Sequence, residues 1–483
     1  MASVTLATAV PGVALVLSAT RHPLQRCGAW AVAVLAGRDW PTAVTQEDVG
    51  KVAERLTTDC VRAGTARDGD GVYDWWKVLF ALYPNAKPTH AARSRDREEL
   101  RPAVAAMFAP DPPGAVLRPC VFCARPSAAL WAKATLPMFD TTKALNTLPP
   151  QVAGWPVCRA CRVAMWALPY GAWVTAGSAT VLTCDSALVE RDFARRNVGR
   201  AARIQQLGFS ALAAGASAET VTLAAVRAHA DQACHSATLW TFKNDNQEPW
   251  LRVTATRGGL TTFVVRMLAD AECWRGWRAL QHAMHKTDKA GAVAVSGAAA
   301  AARLLFDRED QPAGRLAGTL LGLADDPGRV SARTVVAWRS LCRLYLEVIC
   351  GMDDDQLGRL KPARELIAEW ITQEANPRGR FNDYVRAAGS DYLLQKLLMT
   401  ASARLLLDGR QPADITGVAP ALLARGPDGR RLRGLLFFDV VADLVARGAQ
   451  IGFKDDGGQD SEQADDAVAA MRFGDEEESE AYA

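Results

Sequence analysis

Apolar and polar residues change period several times along the chain. Up to about residue 110, short apolar runs at 11–17 and 30–35 flank a stretch, 46–63, with apolar residues at helical spacing. Residues 74–83, DWWKVLFALY, are almost wholly apolar and stop at Pro84-Asn85; a run this dense reads as core. Pro110, Pro112 and Pro113 punctuate the chain there. Apolar residues 163–168 run into Leu168-Pro169-Tyr170-Gly171, which predicts a turn, and residues 180–183 read as a strand. Helical spacing returns over 187–207. Two alternating segments, 239–242 and 250–256, enclose the polar loop 243–249 and predict a hairpin. The Ala-rich run 290–302 reads as a helix. From about residue 267 the pattern is mainly helical, in segments 301–306, 332–352, 358–372, 378–407 and 418–448. Residues 454–483 are too acidic and too poor in apolar side chains to fold alone.

This order predicts an α+β protein. A mixed α/β N-terminal region (1–110 and 181–300) holds an inserted four-cysteine module (111–180). A helical bundle (301–453) and a disordered acidic tail (454–483) follow. With 483 residues, 49% of them hydrophobic, the chain can bury large cores and form several domains. Residues 1–18 are apolar but lack a basic leader, and 290–302 is too short to span a bilayer, so no membrane segment is expected.

The formal charge of +3 conceals an uneven distribution. The tail carries eleven acids against Lys454 and Arg472, leaving 54 basic and 42 acidic side chains before it, a net +12. A basic body with an acidic tail points to a nucleic-acid partner. On 187–207, Arg191, Arg195, Arg196, Arg200 and Arg203 fall mostly along one broad helix face. Their planar forks suit phosphate; the alternative is a solvated face balanced by Glu190 and Asp192.

Of eleven cysteines, four form two Cys-x-x-Cys knuckles, Cys120/Cys123 and Cys158/Cys161, separated by 34 residues. Two knuckles supply the four thiolates of a closed tetrahedral Zn²⁺ site, which braces structure and leaves no position to activate water; the alternative is four buried reduced thiols or two disulfides. The long insert, 124–157, is expected to pack as a small unit of its own. The other seven cysteines are scattered, as in a reducing, cytoplasmic setting. No phosphate loop, nucleophile elbow or His-Glu-x-x-His helix occurs. None of the six histidines lies between His90 and His229, so the module lacks the histidine of a zinc-supported nuclease. His282 and His285 on a helix, and Asp353-Asp354-Asp355 at a helix start, read as structural.

Three segments in order carry a family resemblance: Pro119-Cys120-Val121-Phe122-Cys123, then Val157-Cys158-Arg159-Ala160-Cys161 leading to Leu168-Pro169-Tyr170-Gly171, then Leu239-Trp240-Thr241-Phe242-Lys243-Asn244-Asp245-Asn246-Gln247. Over about residues 70–270 the chain resembles the large subunit of the type I-B CRISPR surveillance complex, in its zinc-knuckle branch. It departs from that pattern at Asp245-Asn246, where many members have a glycine. The resemblance implies a protein without catalysis of its own. Its partners would be a guide RNA with repeated backbone subunits, a small subunit and a guide 5′-end-binding subunit. It would read the protospacer-adjacent motif in double-stranded DNA, help to open the duplex, hold the displaced strand and recruit a helicase-nuclease. On that basis Lys243, Asn244, Asn246, Gln247, Arg257, Gly258 and Gly259 are expected at the duplex. Arg195, Arg196, Arg200 and Arg203 are expected on nucleic-acid backbone. The competing reading is a zinc-dependent nuclease or other nucleic-acid-modifying enzyme.

Overall fold

The computed structural model describes residues 15–138, 154–212, 215–244, 248–307, 314–324 and 330–453. The fold is α+β, mainly helical with small sheets. Its described residues form two compact units, one from Met1–Ala213 with Thr238–Val253, the other from Ala214–Ala237 with Thr254–Ala481. The expected five-part division is therefore coarser in the structure: the cysteine module shares a core with the helices before and after it. The acidic tail lies outside the described residues.

The first unit contains helices α1 (Pro23–Leu35), α2 (Gln46–Thr65), α3 (Gly71–Leu82), α4 (Arg97–Met107), α5 (Arg159–Gly171) and α6 (Ala187–Leu207). Strands β1 (Arg118–Pro119) and β2 (Pro126–Ser127) pair antiparallel, as do β3 (Leu130–Trp131) and β4 (Trp155–Pro156). A four-stranded sheet runs in the order β5 (Trp173–Val174), β6 (Ala179–Cys184), β7 (Ala237–Lys243), β8 (Trp250–Ala255). The predicted helices at 46 and 187 begin there because both starts are capped. Thr45 and Asp48 form a reciprocal capping box on α2, and Ser186 accepts from the Val189 amide on α6.

Residues 168–171, predicted as a turn, are the last residues of α5. Pro169 lacks the N–H that would bond the Met165 carbonyl four residues back. The buried Tyr83 hydroxyl donates to that carbonyl instead, and its ring stacks on Trp166 at 4.3 Å. A tertiary partner thus carries the helix past its proline. α1 crosses α5 closely: a Cβ at Gly28 would lie 1.9 Å from the Ala164 carbonyl oxygen. Buried Glu190 ties α1, β6 and α6 together, accepting from Arg26 Nε at 2.8 Å, Trp30 Nε1 at 2.9 Å and the Cys184 amide at 3.0 Å.

The second unit contains α7 (Ala218–Ala228), α8 (Leu260–Ala269), α9 (Ala271–Met284), β9 (Lys286–Thr287), β10 (Val293–Val295), α10 (Gly297–Arg303), α11 (Arg315–Ala324), α12 (Ala332–Val348), α13 (Asp354–Gly358), α14 (Lys361–Thr372), α15 (Pro377–Ala388), α16 (Asp391–Leu407), α17 (Ala419–Leu422) and α18 (Pro427–Ala446). The helix expected over 290–302 is instead the antiparallel β9–β10 pair followed by α10, capped by Ser296. Segment 378–407 divides at Gly389-Ser390, where Ser390 caps α16, and segment 418–448 divides at Gly426 with φ 116°. Asp353 caps α13 as its position predicted. α9 crosses α12 at Gly276, where Trp338 Nε1 donates to the Gly276 carbonyl at 3.1 Å. No helix among the described residues is long and apolar enough to cross a membrane.

Removal of the Tyr83 hydroxyl tests the helix-through-proline arrangement. Tyr83→Phe keeps the ring stack and leaves the Met165 carbonyl buried without a donor, a loss of about 1–3 kcal/mol. Urea unfolding of Tyr83→Phe against wild type measures it; equal midpoints would remove Tyr83 from this role.

Candidate metal centre

The first knuckle sits in the tight connection between β1 and β2. The Cys120 amide donates to the Arg125 carbonyl at 2.7 Å, the Ala124 amide returns to the Cys120 carbonyl at 2.8 Å, and Ala124 takes φ 61° to close the turn. The second knuckle is the start of α5: Cys158 is its N-cap residue and Cys161 lies on its first turn. Amide dipoles at a helix start favour thiolate over thiol. The two knuckles meet because the Val121 amide donates to the Pro156 carbonyl at 2.9 Å.

Cys123 Sγ lies 3.5 Å from Cys158 Sγ and 3.6 Å from Cys161 Sγ, and all four Sγ atoms lie within 4.8 Å of one another. A tetrahedron with metal–sulfur bonds of about 2.3 Å has edges of about 3.8 Å. A disulfide would need about 2.05 Å, and all four thiols are free. The four cysteines could therefore hold one metal ion. Four thiolates in this space would repel one another, so the fully deprotonated cluster requires a cation. Among the described residues, no other group of three or more His, Cys, Asp or Glu side chains is arranged to hold a metal. His282 and His285 belong to no such group.

Buried Gln25 completes the shell around the sulfurs. Its Nε2 reaches Cys161 Sγ at 3.7 Å and the Ser18 carbonyl at 2.9 Å, while its Oε1 accepts from the Thr20 amide. A polar amide among the apolar residues of α1 is the only trace of this role in the sequence. Arg162, also buried, fastens the chain before the first knuckle to α5. It donates to the carbonyls of Met107 and Ala109 at 2.9 and 3.0 Å and to Asp111 at 2.7 Å.

The residues expected at nucleic acid are differently placed. Asn244 is buried, its amide nitrogen donating to the Leu82 carbonyl at 2.7 Å, so it holds β7 to α3. Lys243 ends β7 and is partly buried; Asn246 and Gln247 lie outside the described residues. Arg257, Gly258 and Gly259 fall in the second unit. Arg257 pairs with Asp307 at 3.6 Å, and Gly259 turns the chain into α8 with φ 82°. On α6, Arg200 is buried: it donates to the Val174 carbonyl at 2.7 Å and lies over the Trp173 ring at 3.8 Å. That arginine braces β5. Arg195 and Arg196 both bind buried Asp192 at 2.8 Å, which holds the Asp192 carboxyl below its usual range against the opposing effect of burial. The Arg195 side chain stays 57% exposed and Arg196 17%. Arg203 is half-buried and Arg191 pairs with Asp39.

Comparison with family models, with curated proteins and with solved structures returned no match.

One metal ion per chain is the expected result of elemental analysis. Gln25→Leu, which removes the donor to Cys161, is expected to weaken metal retention about 10- to 100-fold in competition with a chromogenic chelator. Retention equal to wild type would show that Gln25 serves packing alone.

Proposed function

We propose that the bound metal is Zn²⁺ and that the chain is the non-catalytic large subunit of a type I-B CRISPR effector. Thiolate donors in a closed four-coordinate site suit zinc, which needs no open position to stabilise a fold. The observation that carries the reading is the all-cysteine centre with α5 and β7 in one unit. It joins the three segments on which the resemblance rests, and among the described residues no acid or histidine joins the four cysteines as a ligand. A net +12 before the tail supplies sequence-independent affinity for phosphate. Guide pairing reads most of the target in such complexes, leaving the protein a short motif in the duplex. Arg195, Arg196 and Arg203 on α6 and Lys243 at the end of β7 are the residues we assign to nucleic-acid contact. Arg200 and Asn244, committed to the fold, position them.

Purification from source cells under native conditions tests the assignment. An RNA of discrete length and repeated backbone subunits should accompany the chain, and plasmid DNA with Mg²⁺ or Mn²⁺ should stay intact. Metal-dependent cutting abolished by His282→Ala or His285→Ala would establish the rival enzyme reading instead. In duplex binding, Arg195→Ala with Arg196→Ala should lower affinity and reduce the salt slope by roughly one unit per lost phosphate contact. An unchanged slope would exclude these side chains from the interface.

A further inference from the structure

The second unit holds a cavity of about 850 Å³ whose wall contains four arginines, Arg315, Arg386, Arg430 and Arg431, and, among the described residues, no acidic residue. Its volume is that of a site for a nucleotide-sized ligand. The N-terminus of α11 borders it at Arg315, whereas α18 meets it through Gly426 and Pro427, which carries no N–H. α18 is preceded by Gly426, with φ 116° and no side-chain cap. The start of α11 presents amide donors and the positive end of its dipole, which favours an anion there. Half-buried Leu321 adds an apolar surface beside the cations, with the fully buried Phe437 behind it.

The counter-charges stand outside that wall. Asp428 pairs with Arg431 at 2.7 Å, Asp383 pairs with Arg386 at 3.5 Å, and Asp307 lies close enough to Arg315 and Arg431 to feel both. Arg430, in contrast, makes no ion pair among the described residues and is exposed. Three glycines, Gly314, Gly318 and Gly322, keep the α11 side of the wall thin; a Cβ at Gly318 or Gly322 would meet nothing within 4 Å. The space is therefore open, cationic along one side and apolar along another.

We propose that this cavity binds a phosphorylated nucleotide, its phosphates on the arginines and the start of α11 and its base against Leu321. The ligand is either a free nucleoside phosphate or the 5′-phosphorylated end of a strand. The site goes beyond duplex reading and stands on the second unit alone, whatever the first unit contacts.

Fluorescence polarisation with the full chain tests it, using a labelled nucleoside triphosphate and a labelled short single strand with and without a 5′-phosphate. Arg430→Gln removes a cation. Gly318→Glu places a carboxylate in open space on α11 without a clash, so the variant is expected to fold as wild type does. Saturable binding of the triphosphate, or of the strand only when 5′-phosphorylated, identifies which source is used. Either should weaken by roughly tenfold in Arg430→Gln and more in Gly318→Glu, with unchanged melting. No binding of either probe, equal binding of the strand with and without its phosphate, or binding unaltered in both variants would overturn the proposal.

Discussion

Helix α5 has almost no surface of its own, and the first unit depends on that constraint. Every residue from Ala160 to Gly171 is buried, so neighbours must cover the helix on all sides. Its start carries two of the four thiols, its crossing with α1 permits no side chain at Gly28, and its end passes through a proline served by Tyr83. Arg162 reaches from its first turn to the chain before the other knuckle. A metal at the cysteines would therefore fix the end of a helix against which the rest of the unit packs. Structural zinc in small domains contributes about 10–16 kcal/mol, as much as the whole stability of an ordinary domain.

The sequence displays the parts of this arrangement whose causes are local. Cysteine spacing announces the four ligands, because a knuckle is a contiguous turn. The starts of α2 and α6 are legible through Thr45 and Ser186, since capping is decided within four residues. Pro169 misleads for the opposite reason: its missing donor is replaced by a hydroxyl 86 residues earlier in the chain. Gln25 is hidden in the same way, as an ordinary amide until the fold carries it to Cys161. The arginine spacing on α6 is real, yet β5 and Asp192 take up Arg200, Arg195 and Arg196 in ways that spacing does not encode. For 290–302, alanine content favours a helix, but the turn around Gly291, with φ 82°, pairs Val293 with Thr287.

Placed together, these features divide the labour of the chain. The four cysteines and α5 give the first unit a rigid frame, which the proposed reading uses to position nucleic acid. Several arginines, Arg162, Arg200 and Arg433 among them, bind internal carbonyls, which withdraws them from any nucleic-acid surface. The second unit also has tight glycine crossings, and its described residues include an open, arginine-lined space.

Hydrogen exchange followed by mass spectrometry, on the full chain before and after metal removal by a strong chelator under reducing conditions, examines the central dependence most directly. Loss of the metal should deprotect α5, the 18–33 stretch containing Gln25 and Gly28, and the 107–111 segment held by Arg162, while α12 and α18 in the second unit keep their protection. Protection unchanged across α5 and α1 after complete removal of the metal would contradict the dependence of the first unit on its four cysteines.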